Sequence, residues 1–150
     1  MQTFLPYFNF VKAARCLDNK RLGKQRVEAK QILEILLGKE SKWYNHPAVR
    51  MWGGYKELLA IYMNTMIKEW ISRGFKNSLP LIYFKSKIKI PYWFGDKRIV
   101  ISHRSNLLRK NFNHYSKFGW KVPLYLKYYW PTHGGDLGST DAMRQRDGIL

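Results

Sequence analysis

The sequence predicts an all-α fold: a compact single domain over residues 1–131, built on three main helices with long loops and an aromatic C-terminal segment, then a flexible tail over 132–150. Three observations predict it. Apolar residues recur at helical spacing in three stretches, near 11–37, 55–73 and 97–110. Strand-like alternation is confined to Lys85–Ile90, where Pro91 follows at once. A chain of 150 residues, 45% of them hydrophobic, is long enough for one core without staples.

The opening, Met1 to Phe10, is aromatic and extended, with Pro6 and no helical period. Val11 to Leu37 reads as helix, interrupted near Asp18, where Asp18 or Asn19 caps a second helix that stops at Gly38. Wound at ~100° per residue, this second helix buries Leu22, Ala29, Ile32, Leu33 and Leu36. Asp18, Arg21, Gln25 and Glu28 fall on that stripe or at its edge, and charged groups there are costly unless paired or used. Lys39 to Asn45 is a polar connection. Pro47 marks a helix start with Asn45 as cap, weakened and kinked at Gly53-Gly54.

From Tyr55 the period is clear: Leu58, Leu59, Tyr62, Met66 and Trp70, broadened by Ile61, Ile67 and Ile71, predict a central buried helix ending at Arg73-Gly74. Ser78 to Gly95 is loop-like apart from the short strand expected over Lys85–Ile90. Asp96 caps a helix from Lys97 to about Lys110, with Ile99, Val100, His103 and Leu107 facing inward. Phe112 to Pro131 is aromatic and basic. Thr132 to Leu150 is rich in Gly, Asp and Ser, the composition of a mobile tail.

Charge is the strongest global signal. Twenty-seven Lys and Arg against ten Asp and Glu give +17. Such an excess is easiest to tolerate beside a polyanion. The cations are interspersed with 6 Trp, 10 Tyr and 8 Phe rather than gathered on one amphipathic helix, which favours nucleic acid over a membrane surface. The lone Cys16 excludes a disulfide framework and suits a reducing interior. With no membrane-length apolar run and no signal-peptide layout, an intracellular, unsecreted monomer is expected.

Three constellations are candidates for chemistry. On the second helix, Glu28 lies three residues after Gln25 and seven after Arg21, so the three share a surface with Asp18 at its start. A carboxylate there is either a general base that also stabilises a cationic sugar, or a salt-bridge partner of Arg21 or Lys24; Asp18 is either part of the site or an N-cap. In His46-Pro47-Ala48-Val49-Arg50-Met51-Trp52, His46 and Arg50 face DNA, or His46 caps a helix and Trp52 is core. In Ser102 to Lys110, helical geometry aligns His103, Asn106 and Lys110 in a row for phosphates or a base edge, with Arg104 and Arg109 at its sides. A lone His on an apolar face is otherwise a core residue. No Cys-His cluster, phosphate-binding Gly loop, metal carboxylate pair or Ser-His-Asp spacing stands out, so neither metal nor organic cofactor is expected.

These residues resemble the pyrimidine-dimer DNA glycosylase family, typified by phage endonuclease V. The resemblance is strongest to small relatives that share the opening Met-Gln-Thr-Phe-Leu-Pro-Tyr, Leu17-Asp18, Arg21 to Glu28, His46 to Trp52 and Ser102 to Lys110. It covers nearly everything up to Pro131. To the phage enzyme itself the likeness is thinner: His46 and the long helix ending Arg73-Gly74-Phe75, and the basic helix around Ile101-Ser102. Its aromatic C-terminal loop corresponds to His114–Gly119, with Tyr115 and Lys117, or to Lys127-Tyr128-Tyr129.

The resemblance implies a bundle of three helices and a glycosylase, with AP-lyase activity, acting on a damaged or modified base in double-stranded DNA. A free N-terminal amine, partly neutral at cellular pH, attacks C1′ and forms a Schiff base, a helix Glu supports the cationic sugar, and basic residues help extrude a base. The expected catalytic residues are Met1, Glu28, Arg21, Gln25 and Asp18. Those expected on DNA are Lys24, Arg26, His46, Arg50, His103, Arg104, Asn106, Arg109, Lys110, Tyr115 and Lys117. The chain departs from the phage pattern in three places. Aligned without gaps, Cys16 stands where that enzyme has His, and Leu22-Gly23 where it has Arg-Glu, while Arg26-Val27 match. Gln2 follows Met1 and its bulk normally blocks Met removal, so the nucleophile is the Met1 amine, a Gln2 amine after processing, or Lys24. The competing readings are a basic DNA-binding or DNA-packaging protein that keeps the fold without the chemistry, and an RNA-binding module.

Overall fold

The computed structural model describes residues 1–131; the expected tail falls outside them. Its helices are α1 (Phe10–Cys16), α2 (Asn19–Leu36), α3 (Pro47–Arg50), α4 (Lys56–Ser72), α5 (Lys97–Lys110) and α6 (Phe112–Tyr115), with a 3₁₀ turn at Ser116–Phe118. Among the described residues there is no strand, and the fold is all-α. Lys85–Ile90, expected to pair as a strand, runs as an exposed connection with no ladder partner.

The chain break before α2 comes at Leu17-Asp18, as the pattern indicated, and Gly38, at φ +107, ends the helix in a conformation that favours glycine. α2 packs along α4, and α1 also lies on α4. Their shared core holds Leu22, Ile32 and Leu33 against Leu59, Met63, Met66 and Ile67. Ile61 and Ile71 do not broaden that face; both are exposed. The Gly53-Gly54 region separates α3 from α4 instead of kinking one long helix. The cap of α3 is His46, not Asn45: Nδ1 of His46 accepts the Ala48 N–H at 3.0 Å. Asp96 caps α5 as expected, accepting the Arg98 N–H. No helix among the described residues is long and apolar enough to cross a membrane.

The helices enclose an irregular segment, Gln2 to Pro6, which runs buried through the molecule. Buried backbone outside a helix must find partners for its N–H and C=O groups. Each surrounding element sends one. Gln25 Oε1 on α2 accepts the Phe4 N–H at 2.9 Å, and His103 Nδ1 on α5 accepts the Leu5 N–H at 2.8 Å. The Tyr62 hydroxyl on α4 donates to the Phe4 carbonyl at 2.8 Å, and Arg104 Nε to the Pro6 carbonyl at 2.9 Å. Trp52 Nε1, fully buried, donates to Thr3 Oγ1 at 3.0 Å. Polar residues on core-facing stripes thus find their partners in the backbone of the N-terminal segment, which they hold in place.

Candidate active site

At the outer end of that segment lies an open cleft of about 430 Å³. One wall is the face of α2 carrying Lys20, Arg21, Lys24, Gln25 and Glu28, residues three and four apart that share a surface. Met1, Gln2 and Phe4 adjoin that face, the backbone of the last two bonded to Gln25 and Glu28, and Lys110 from the end of α5 and Tyr128 complete the lining. Burial first of all pushes the Tyr128 phenol up to about 12, so it stays a neutral hydroxyl.

Gln25 organises the wall. It is 1% exposed, and all of its amide is used. Oε1 accepts the Phe4 N–H and lies 2.6 Å from the Tyr62 hydroxyl, whose one hydrogen it shares with the Phe4 carbonyl; Nε2 donates to the Gln2 carbonyl and to Glu28 Oε2, both at 3.1 Å. Glu28 Oε2 also accepts the Gln2 N–H at 3.3 Å. The Met1 amine is three bonds from the Gln2 nitrogen, hence about 3–4 Å away and within roughly 7 Å of the Glu28 carboxylate. His46 stands near that amine: burial, and second the positive N-terminus, hold its imidazole below the ordinary range.

Asp18 backs the cleft rather than lining it. It occupies the N-cap position of α2 without capping the helix through its side chain. Its carboxylate instead accepts from the Tyr115 hydroxyl and from Arg21 Nη1 (3.1 Å), with Asn111 Nδ2 at 3.5 Å. Burial works to raise its pKa, but these donors and the Arg21 charge outweigh that and hold it below the usual carboxylate range. The pair fixes the Arg21 guanidinium at the cleft wall.

Of the residues expected on DNA, Lys24 and Lys110 stand exposed at the cleft. Arg50 is exposed on a separate hollow beside Tyr44 and Asn45, and Lys117 is exposed beside Phe118. Arg109 is exposed as well, with its guanidinium bonded to the C-terminal segment, and the rest serve the interior. His103 does not join a phosphate-binding row: it is 0% exposed, with its ring edge-on to Phe4 and Tyr128. Tyr115 is equally buried. Arg26 donates to Asn77 Oδ1 at 2.6 Å and stacks over Trp70. Arg104 lies over Tyr7 and Trp120. Asn106 and Arg109 hold the C-terminal segment, both donating to the Leu126 carbonyl. His46 is held in its cap between Trp43 and Trp130.

Four cleft residues, Gln2, Phe4, Lys20 and Tyr128, are not among the expected site residues. Lys20 had a signal, because it lies one turn before Lys24 on the same face. Gln2 had none beyond its place beside Met1. Among the described residues no group of three or more His, Cys, Asp or Glu side chains could hold a metal.

The family model for pyrimidine dimer DNA glycosylases matches residues 1–83, from the buried N-terminal segment through α4. No curated protein and no solved structure matches the chain significantly. The match takes in more than half of the chain, including the Met1 end and the α2 face that line the cleft: this chain belongs to the pyrimidine dimer DNA glycosylase family, a family of DNA repair enzymes.

Proposed function

We propose that the cleft removes a damaged or modified base from duplex DNA and then cleaves the abasic strand, with the Met1 amine as nucleophile and Glu28 as its carboxylate partner. The observation that carries this reading is the convergence of Met1 and Glu28 on one cleft, joined by the 3.3 Å hydrogen bond from the Gln2 N–H to Glu28 Oε2. The neutral amine gives its lone pair to C1′. The bond from C1′ to the base breaks with its electron pair going to the base, which takes up a proton. Glu28 faces the positive charge that builds on the sugar, then takes the proton released by the amine. Glu28 returns that proton to O4′ as the C1′–O4′ bond breaks and the nitrogen lone pair closes the C=N of the Schiff base. Glu28, again a carboxylate, takes a C2′ proton as the C3′–O3′ bond breaks with its electron pair leaving on the phosphate. Water then hydrolyses the C=N and releases the enzyme. Lys20, Arg21, Lys24 and Lys110 around the cleft suit the phosphates on either side.

Borohydride trapping on a duplex with a single abasic site tests the nucleophile. A covalent adduct that disappears when the N-terminus is blocked is expected; no adduct would leave the non-catalytic DNA-binding reading. Glu28→Gln should lower strand cleavage at least about 100-fold, the usual scale for a lost general base, while binding the same duplex within about threefold of wild type. A Glu28→Gln protein that unfolds but keeps specific activity in its folded fraction would remove Glu28 from the chemistry.

A further inference from the structure

The cleft wall contains two buried glutamines, and they differ in one respect. Gln25 uses both ends of its amide. Gln2, 4% exposed, uses one: its Oε1 accepts the Thr3 N–H at 2.8 Å, and its Nε2 is buried with no partner among the described residues. The bonded end fixes the orientation, since turning the amide over would set its NH2 against the Thr3 N–H. Gln2 therefore carries a hydrogen-bond donor of fixed placement and an unmet demand for an acceptor. A buried donor without a partner is unfavourable, and an arriving acceptor relieves it.

We propose that the Gln2 side-chain amide reads the base whose C1′ the Met1 amine attacks, by donating from Nε2 to a carbonyl oxygen of that base. This rests on the active-site reading above and deepens it to a substrate class. Gln2 follows Met1 directly and lines the same cleft, so a base bonded to the C1′ that the amine attacks would lie against its side chain. The neighbouring rings of Phe4 and Tyr128 provide an apolar edge for a base. The other polar groups of the cleft are the cations Lys20, Arg21, Lys24 and Lys110, the Met1 amine, the Tyr128 hydroxyl, a Gln25 amide bonded at both ends, and a Glu28 carboxylate whose Oε2 already accepts two N–H groups. A ligand matching this lining presents acceptors: phosphate oxygens to the cations and a base carbonyl to Gln2. A base that turned an exocyclic amino group toward Gln2 would set donor against donor and be rejected.

The test uses the full chain with Gln2→Met, which keeps the length and removes the donor, and Gln2→Glu, which keeps an acceptor for the Thr3 N–H and replaces the donor with an oxygen. Both residues are large enough to retain Met1, which intact mass confirms. Each protein is assayed on a duplex with one thymine dimer, which presents base carbonyls, and on a duplex with one abasic site, which has no base to read. The ratio of base-release rate to abasic trapping rate should fall about 10- to 100-fold in both variants. Equal losses on the two substrates would make Gln2 a structural residue and overturn the proposal, as would an unchanged ratio. Wild type that traps the abasic duplex but leaves the dimer duplex uncut overturns base reading and spares the amine. Wild type that forms no adduct at all overturns the active-site reading itself.

Discussion

His103 carries the N-terminal segment on one ring nitrogen. Because Nδ1 accepts the Leu5 N–H, the neutral ring keeps its proton on Nε2, and protonation would set one N–H against another. Burial pushes its pKa down to about 3, against an ordinary value of 6.5. In the unfolded chain the same imidazole binds its proton as pH falls below 6.5, so the folded state loses stability from there down to about pH 3 and has its full stability above 6.5. Each pH unit inside that window removes about 1.4 kcal/mol. Urea unfolding at pH 7 and pH 5 should therefore show a drop for wild type that is smaller by roughly 2 kcal/mol in His103→Gln. His46, whose pKa is also lowered by burial, adds to the slope in both proteins and cancels from the comparison. Equal slopes would mean that His103 titrates normally and is not the buried prop described above.

At the scale of the element, the packing of α2 on α4 disfavours a side chain at position 23. Position 23 faces α4, not the cleft: a Cβ on Gly23 would meet Cη2 and Cζ3 of Trp70 at 3.0 Å. That ring cannot easily yield, because Phe75 stacks on it, the Arg26 guanidinium lies over it, and its Nε1 is bonded to the Lys76 carbonyl. Gly23→Ala should destabilise the protein by about 1–2 kcal/mol, overpacking against Trp70 exceeding the ~1 kcal/mol that alanine gains in a helix. Trp70→Leu alone destabilises, but the two changes together should cost less than their sum in a denaturation cycle. A Gly23→Ala protein more stable than wild type would show that the ring moves freely. The helix itself, its break at Asp18 and its polar stripe were legible in the sequence, because each is a local pattern. What the stripe holds was not, since Gln25 bonds a backbone group 21 positions away and His103 one 98 positions away. For the same reason the row on α5 read as a phosphate-binding edge: His103, Asn106 and Lys110 share a helical face, but the chain beyond Lys110 folds back over the first two. Nothing in the local pattern distinguishes a side chain that meets solvent from one covered by a segment twenty residues later.

For the whole molecule, the question is where +17 of net charge is spent. Several carboxylates are tied up internally: Asp18 with Arg21, Glu34 with Lys30 and Lys39, Glu69 with Arg73, and Asp96 with Arg98. Most of the lysines are left to repel one another, a cost that a polyanion removes by binding. Three of them, Lys20, Lys24 and Lys110, are exposed at the cleft, the first two on α2 and the third at the end of α5. If these lysines neutralise phosphates flanking the reacting sugar, each contact releases counterions and contributes about 0.9 to the slope of log affinity against log salt. Replacing all three with glutamine should therefore flatten that slope by roughly 2–3, with a similar loss of affinity on damaged and undamaged duplex. Fluorescence titration of both duplexes from low to moderate salt measures it. A slope unchanged by the triple substitution would place the phosphate backbone elsewhere, and the exposed Arg50 hollow would become the next surface to test. A larger loss on damaged than on undamaged duplex would mean that these cations act on the lesion itself, since contacts to phosphate alone weaken both equally.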